Sequence, residues 1–183
     1  PGVRLPSSEY FKYVDDNLIA FENILSATVL SNTPNFLYAS SSSVYGNSKQ
    51  IPYSEKEKGL EPVSFYGATK LANEILVPPV VRNSHTKARG MRFFTVYGPW
   101  GRPDMAYFRI IASFLVGSPF TVFGDGNVIR DFTYISDVVD SIIGLNRELN
   151  DRPPGFSDFV NIGGGNPSSL NRMIAQISTQ FEF

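Results

Sequence analysis

The sequence contains no cysteine, a single histidine and no long apolar run. The absence of cysteine excludes disulfides and cysteine-ligated metal sites. His85 lies in the polar run RNSHTKARG, where we expect an exposed side chain and no metal. No apolar run approaches the roughly 20 residues that span a bilayer, so we expect no membrane partner.

The first ten residues, PGVRLPSSEY, lack two further features. They have neither the basic start nor the apolar stretch of a signal peptide, which predicts a cytoplasmic protein. They also lack an initiating methionine, which predicts that the chain is a fragment.

Charge is sparse and nearly balanced. Charged residues make up 18% of the 183 residues, below the usual quarter, so we expect much of the chain to be buried or packed on something else. The formal net charge of −1 gives no surplus for binding polyanions, which argues against a nucleic-acid partner. The length suffices for one domain with a real core, or for pieces of two.

Apolar periodicity predicts alternating helices and strands in the first half. Apolar residues recur at helical spacing between Phe11 and Leu25, with Ser7 or Ser8 as the N-cap. The short apolar runs NFLYAS and MRFFTVYG are typical of buried strands, and a helix at about 65–77 separates them. This order is the rhythm of an α/β fold with a parallel sheet.

The second half continues the pattern after the loop GPWGRPD. We expect a helix at about 104–116, a short strand FTVFG and a strand RDFTYI. A helix opening at Ser136, a strand DFVNIG and a last helix capped by Ser168 follow. Pro78 and Pro79 should kink or end the earlier helix, since an interior proline costs about 3 kcal/mol or more.

Two tyrosines are each followed by a lysine four positions later. The 9 tyrosines and the lysines of this chain would give roughly 0.3 such pairs at random, so at least one copy is expected to be accidental. Tyr66 precedes KLANEIL, where i and i+4 share a helix face and Lys70 can reach the same target as the phenol. Tyr45 precedes GNSKQIP, which should not be helical. For Tyr66, a half-buried aromatic beside an exposed lysine remains the alternative.

Four serines follow the predicted strand in LYASSSSVYG. Hydroxyls at the carboxyl end of a parallel strand face the ligand crevice, although serine is also common in solvated turns. With the Tyr66–Lys70 helix and RFFTVYGPWGRPDM, they resemble the extended short-chain dehydrogenases, specifically the nucleotide-sugar epimerase and dehydratase group. The resemblance covers essentially all 183 residues. The stretch RFFTVYGPWGRPDMA is similar to UDP-glucuronate 4-epimerases.

The resemblance implies a Rossmann-like parallel sheet that lacks its first strands. Residues 1–98 would be the remainder of the dinucleotide-binding domain. Residues 99–183 would form mainly the substrate-binding region, with strands and a helix returning to the sheet. The glycine-rich fingerprint of the first strand is absent: GDGNVI runs into a strand, and NIGGGNPSSL comes too late. A second phosphate-binding arginine near the C-terminus is also missing.

The resemblance also implies a set of catalytic and cofactor contacts. Tyr66 would be the acid/base residue, Lys70 would hold the nicotinamide ribose of NAD, and Ser41 would orient the sugar hydroxyl. Phe94 would contact the cofactor as well. A free tyrosine has a pKa near 10, and a nearby ammonium together with the cationic nicotinamide would favour its phenolate.

The UDP-sugar substrate would meet six residues, namely Ser42, Thr95, Arg102, Val122, Phe123 and Arg130. Thr95 and Arg102 fall where glucuronate epimerases hold the sugar carboxylate, a role that suits the planar fork of arginine. Arg130 would bind the UDP phosphates, and Val122 and Phe123 would lie beside the uracil. The alternatives are an exposed loop cation for Arg102, a salt bridge to Asp131 or Asp137 for Arg130, and an apolar strand core for Val122 and Phe123.

The implied reaction is NAD-dependent epimerisation at carbon 4 through a 4-keto sugar, converting UDP-glucuronate to UDP-galacturonate. Dehydratases of the group carry an acidic pair where Ser42 and Ser43 stand, so dehydration is disfavoured. The alternatives are a related decarboxylase or 4-reductase, and a truncated chain that binds sugar nucleotide without turnover. The family forms dimers through the helix after Tyr66, so a homodimer is expected unless Pro78 and Pro79 alter that surface.

Overall fold

Six α-helices, two 3-10 helices, one π-helical turn and six strands lie within residues 5–181, the part of the chain that the computed structural model describes. The strands are β1 (Asn35–Ser41), β2 (Lys87–Phe93), β3 (Thr95–Tyr97), β4 (Ile129–Tyr134), β5 (Ser157–Ile162) and β6 (Pro167–Ser169). The α-helices are α1 (Tyr10–Tyr13), α2 (Ala20–Leu30), α3 (Phe65–Val81), α4 (Ala106–Val116), α5 (Ile135–Asn150) and α6 (Leu170–Ser178).

These elements form two units. Within the described residues, the first unit runs to Phe93 and resumes over Ser141–Ile162. The second unit covers Phe94–Asp140 and resumes at Gly163. The apolar run MRFFTVYG therefore does not form one strand, because β2 belongs to the first unit and β3 to the second. The functional assignment of residues 1–98 and 99–183 stays a prediction.

The first unit contains a parallel sheet in the order β1-β2-β5, which confirms the predicted α/β class with a parallel sheet. The register sets Ser40 opposite Arg92 and Ser41 opposite Phe93. Parallel pairing aligns the carboxyl ends of the strands, so the serine run after β1 lies at the edge where ligands bind in such sheets.

Helices α2 and α3 cover the sheet of the first unit. The buried cluster between them consists of Leu25, Tyr38, Val77, Val81 and Ala88. Gly90 makes room for the ring of Tyr38, because a Cβ at position 90 would stand 2.7 Å from that ring. The apolar positions that predicted these helices therefore form the core that holds α3 on the strands.

The first helix differs from its prediction. Ser7–Glu9 form a 3-10 turn, with Pro6 at the N-cap position and no side-chain cap, so neither Ser7 nor Ser8 caps the helix. Pro6 is already extended and the chain turns at Ser7, which places both serines inside the turn. Between α1 and α2, the residues Val14–Ile19 are π-helical.

The early end predicted for α3 is wrong. The helix continues through Pro78 and Pro79 to Val81. Both prolines lie in its last turn, and each lacks the N–H that would bond the carbonyl four residues earlier, so the helix continues here without two of its backbone bonds. The turn still closes, since the N–H of Arg82 donates to the carbonyl of Pro78 at 3.1 Å.

The second unit joins β3 to β4 in parallel and β4 to β6 in antiparallel. The predicted strand FTVFG is absent, because the described residues 120–124 are irregular and end at Gly124, whose φ of +76° turns the chain. Helix α6 is capped by Ser169 and not by Ser168: the Oγ of Ser169 accepts from the N–H of Arg172 at 3.1 Å. Ser168 lies in β6.

Candidate active site

The carboxyl end of β1 carries the serine run. Ser41 is the last residue of the strand, and its Oγ accepts a hydrogen bond from the N–H of Ser43 at 3.1 Å. This bond caps the 3-10 helix Ser42–Tyr45 and fixes the Ser41 hydroxyl at the strand end. Its own proton remains available to a second partner. Ser42, the predicted substrate contact, is half-buried in the first position of that 3-10 helix.

Tyr66 lies in the first turn of α3 and is half-buried. Ser64 caps the helix, its Oγ accepting from the N–H of Gly67 at 3.0 Å. Gly67 allows a close approach, because a Cβ there would meet the carbonyl oxygen of Ser43 at 2.7 Å. The start of α3 therefore rests against the turn that follows Ser41.

Lys70 lies one helical turn after Tyr66. Its Nζ is 5.8 Å from the centroid of the Tyr66 ring and donates to the carbonyl of Ala39 at 3.0 Å. Burial lowers the pKa of the Lys70 ammonium. The structure thus brings Ser41, Tyr66 and Lys70 to one edge of the sheet in the first unit. Their chemical roles stay a prediction.

Tyr45, the tyrosine of the other pair, is 1% exposed. Its hydroxyl accepts from Nη1 of Arg92 at 2.8 Å and donates to Oδ1 of Asn161 at 2.8 Å. Lys49 follows in an irregular segment. The Tyr45 phenol is committed to protein partners, and burial raises its pKa, so this pair lacks the geometry of a ligand site.

The remaining predicted contacts lie in the second unit. Phe94 and Thr95 are half-buried around the start of β3. Arg102 lies in the loop before α4, and its Nε and Nη2 donate to the two carboxylate oxygens of Asp104 at 3.0 and 2.5 Å. The guanidinium lowers the pKa of the Asp104 carboxyl. Arg102 therefore binds the Asp104 carboxylate in the bidentate geometry with which it could bind the carboxylate of a ligand.

Val122 and Phe123 lie in the irregular segment after α4. Val122 is half-buried and contributes to a mainly apolar cavity of about 410 Å³ between α4 and α6. Phe123 is 74% exposed. Neither residue matches the alternative of an apolar strand core, because Val122 lines the cavity from outside any strand and Phe123 presents its ring to solvent.

Arg130 is exposed on β4, opposite Ser168 of β6. Asp131, one of the two residues expected to form a salt bridge with Arg130, has its carboxylate bound by backbone N–H groups. The oxygens of Asp131 accept from the N–H groups of Gly164 at 2.7 Å and Gly165 at 2.8 Å. The glycine run NIGGGNP is thus a turn that the Asp131 carboxylate stabilises. Sequence reasoning missed this role of Asp131.

Sequence reasoning also missed a buried network that we call the Arg92–Glu74 network. It comprises Ser40, Tyr45, Glu74, Arg92 and Asn161. Arg92 is 1% and Glu74 4% exposed. The available signal was Glu74 within LANEIL and Arg92 within MRFF, since charged residues inside such apolar stretches are almost never fully buried unless paired.

A smaller polar contact lies on the other side of α3. Asn17, in the π-helical turn, is 3% exposed, and its Nδ2 donates to Oγ1 of Thr69 at 3.0 Å. Thr69 in turn donates to the carbonyl of Tyr66 at 2.8 Å. A π-helical turn is rare and often marks a functional region, but its sequence carries no signal that predicts it.

Residues 5–181 contain neither a membrane-spanning helix nor a metal-binding cluster. No helix there is both long and apolar enough to cross a membrane. No group of three or more histidine, aspartate or glutamate side chains there could hold a metal ion.

A family model described as the NAD dependent epimerase/dehydratase family matches residues 2–163. Among curated proteins, the chain is 38% identical to Protein CapI of Staphylococcus aureus, covering 98% of this chain and 58% of that protein. It is 44% identical to UDP-glucuronate 4-epimerase 5 of Arabidopsis thaliana, covering 94% of this chain and 42% of that protein. The chain thus spans about half the length of these relatives.

Solved structures repeat this picture. MoeE5 in complex with UDP-glucuronic acid and NAD superposes with a TM-score of 0.89 at 37% identity, covering 98% of this chain and 59% of that one. The UDP-glucuronic acid 4-epimerase from Bacillus cereus, solved with UDP-glucuronic acid and NAD, gives 0.84 at 35%, covering 98% and 56%. TunA, an NDP-hexosamine 5,6-dehydratase, gives 0.86 at 31%, covering 98% and 57%. The Rossmann-like fold is confirmed.

Proposed function

The chain belongs to the NAD-dependent epimerase/dehydratase family, and we propose that it carries the catalytic edge of an enzyme that epimerises UDP-glucuronate at carbon 4. The observation that carries this proposal is the meeting of Tyr66, Lys70 and the Ser41 strand end, fixed by the Lys70–Ala39 bond of 3.0 Å. UDP-glucuronate is the substrate named for a relative of this chain. NAD and UDP-glucuronic acid are bound in two structures that are similar to this chain.

The residues of the first unit fit the nicotinamide end of NAD. The ammonium of Lys70 has three donors, one of which is used on Ala39, so it can also bind a ribose hydroxyl. Phe94, at the start of the second unit, is the proposed apolar contact. When bound, NAD supplies the redox step by accepting hydride from carbon 4 and returning it.

Tyr66 moves the proton. Its phenolate takes the proton of the carbon 4 hydroxyl as the hydroxyl becomes a ketone, and the same phenol returns the proton when the keto group is reduced on the other face. Ser41 orients the sugar oxygen with the hydroxyl proton that its cap bond leaves available. Lys70 favours the phenolate because it holds positive charge near the ring.

Selection of a uronic acid is assigned to Thr95 and Arg102. The pair with Asp104 shows that Nε and Nη2 of Arg102 can donate to the two oxygens of one carboxylate. Arg130 is proposed for the UDP phosphates, and Val122 and Phe123 for the uracil. The exposure of Phe123 suits a ring that awaits a stacking partner.

Dehydration, the reaction named for TunA, is the second candidate and has less support. Positions 42 and 43 hold hydroxyls where dehydratases of the group carry an acidic pair. The nearby buried carboxylate, Glu74, is bound on both oxygens by Arg92 and so is not available to eliminate water.

The test compares Tyr66→Phe with Tyr45→Phe in a polypeptide that also supplies the glycine-rich cofactor strand. Tyr66→Phe should lower turnover by about 10²–10⁴, the usual loss for a positioned proton-transfer group. The product should be UDP-galacturonate, identified by chromatography. If Tyr45→Phe were the more damaging change for turnover, the assignment of Tyr66 would be wrong.

The 183-residue polypeptide itself gives a second test. We expect weak NAD binding and no epimerisation, because its sequence lacks the glycine-rich turn that cradles the pyrophosphate. UDP binding through Arg130 and Phe123 should survive. Calorimetric titrations with NAD and with UDP measure both, and micromolar NAD binding would contradict the expectation.

A further inference from the structure

Lys70 and Glu74 stand one helical turn apart on α3, yet they do not form an ion pair. A spacing of four residues places opposite charges within reach on a helix. The ammonium of Lys70 instead donates to the neutral carbonyl of Ala39 at 3.0 Å, and the carboxylate of Glu74 turns to the sheet. Some feature of the fold must therefore keep this carboxylate away from Lys70.

That feature is the occupation of both Glu74 oxygens. Oε1 accepts from Nε of Arg92 at 2.9 Å and from Oγ of Ser40 at 2.5 Å. Oε2 accepts from Nη2 of Arg92 at 2.7 Å. The planar guanidinium donates two parallel hydrogen bonds to the two carboxylate oxygens. A lysine ammonium cannot bind a carboxylate in this bidentate way.

Arg92 cannot swing away from this position. Its Nη1 donates to the Tyr45 hydroxyl at 2.8 Å, and that hydroxyl is itself fixed to Asn161. Its guanidinium lies 4.0 Å from the centroid of the Phe159 ring and 4.8 Å from that of Tyr45. The Arg92–Glu74 network thus ties α3 to the 3-10 helix and to all three strands of the first sheet.

We propose that Arg92 is a positioning residue that sequesters Glu74, so that the Lys70 ammonium stays unpaired with any carboxylate and open to a ligand hydroxyl. The role assigned to Lys70 rests on the proposed function. The sequestration itself is a property of the unliganded first unit, and it can be tested without substrate or cofactor.

The surroundings of Lys70 agree with this proposal. Burial lowers its pKa, whereas a paired carboxylate would act in the opposite direction. Several elements packed against α3 carry titratable or charged groups. These are Tyr10, Lys12 and Tyr13 of α1, Asp15 and Asp16 of the π-helical turn, Glu22 of α2, Tyr38 of β1, Tyr45 of the 3-10 helix, Lys87, Arg89 and Arg92 of β2, and Asp158 of β5. Asp15, Asp16 and Glu22 are exposed, and Asp158 is held by Arg89. Glu74 is the one fully buried carboxylate in residues 5–181.

The experiment measures the pKa of Lys70 by NMR of the ¹³C-dimethylated lysines of the 183-residue chain, with the Lys70 signal assigned by Lys70→Arg. In Arg92→Met, Glu74 loses its bidentate bonds to the guanidinium. Its carboxylate should then pair with Lys70, so the pKa of Lys70 should rise above that of the wild type. Glu74→Gln should not raise it. The double variant Glu74→Gln/Arg92→Met removes both charges and should return the pKa to the wild-type value.

Arg89→Met is the matched control. Arg89 is also 1% exposed on β2 and also binds a carboxylate, that of Asp158, on two teeth at 2.7 Å each. It is three residues from Arg92 and so points to the other face of the sheet. Its removal should leave the pKa of Lys70 unchanged.

Folding of each variant is checked by the dispersion of its amide spectrum. If Arg92→Met does not fold, Arg92→Lys carries the test, since it keeps the charge but loses the fork, and the pKa of Lys70 should rise by a smaller amount. An unchanged pKa of Lys70 in the folded variant, or an equal rise in Arg89→Met, would overturn the proposal. Failure of the proposed function would show separately, as unchanged turnover in Tyr66→Phe.

Discussion

Two arginine–carboxylate pairs, one in each unit of the molecule, are held differently. In the first unit, the side chains of Arg92 and Glu74 are 1% and 2% exposed and bind each other inside a network. In the second unit, those of Arg102 and Asp104 are 53% and 62% exposed. A buried pair cannot exchange partners without leaving a charge unpaired, whereas an exposed pair exchanges readily with water or a ligand. The first unit therefore contains a fixed frame, and the second contains adaptable contacts.

Among these predictions, Glu74→Gln should produce the largest change, a loss in the free energy of unfolding. It leaves the Arg92 guanidinium buried without its counter-charge, which costs about 3–5 kcal/mol of unfolding free energy. Urea unfolding followed by circular dichroism measures the loss. Asp104→Asn is the matched change in the second unit, and it should leave the unfolding midpoint where it is. Equal losses from the two substitutions would remove the distinction between the units.

Arg102→Ala should affect ligand choice and leave the fold intact. An unpaired sugar carboxylate would lose a charged hydrogen bond of roughly 1.5–3 kcal/mol, so the affinity for UDP-glucuronate should fall. UDP-glucose has no carboxylate and serves as the control ligand. Calorimetric titration with both ligands decides the matter, and the same loss for each would mean that Arg102 does not recognise the carboxylate.

Tyr45→Phe and Tyr66→Phe should show opposite patterns. Removing the Tyr45 hydroxyl deprives Arg92 and Asn161 of a buried partner, which costs about 1–3 kcal/mol of stability. Tyr66 is half-buried at the helix start, so Tyr66→Phe should cost less stability and more turnover. The comparison of urea midpoints with turnover numbers would contradict this view if Tyr66→Phe were the more destabilising change.

The smallest effect concerns pH. Because burial lowers the pKa of Lys70 in the folded chain, the unfolded chain binds more protons between that pKa and the ordinary lysine value of about 10.4. Stability contributed at this position therefore rises as the pH rises through that window. The urea midpoint of the wild type minus that of Lys70→Met should therefore increase as the pH rises from neutral to about 10. A loss over the same range would show the opposite shift.

The sequence predicted those elements whose cause is local. NFLYAS became β1 because an apolar run of strand length needs only a sheet to enter. The Tyr66 helix followed from the helix-forming run KLANEIL. The strand FTVFG was predicted on the same apolar signal, but the glycines at positions 124 and 126, with φ of +76° and +73°, turn the chain there.

The polar framework could not be predicted, because its partners are distant in the sequence. Glu74 and Arg92 are 18 residues apart, and Tyr45 and Asn161 are 116 apart. Only the alignment of three parallel strands brings them to one place. The chemistry of Tyr66 and Lys70 follows from a spacing of four residues, whereas the network that supports them depends on the tertiary fold.

The register of β1 on β2 has a consequence for folding fidelity. Ser40 stands opposite Arg92, and both reach the same carboxylate of Glu74. A shift of β1 by one residue would turn Ser40 to the opposite face of the sheet. A shift by two would carry its hydroxyl away from Arg92 and leave the carboxylate short of a donor. Misaligned sheets would then bury an incompletely satisfied charge, so the network discriminates against wrong strand alignments while the chain folds.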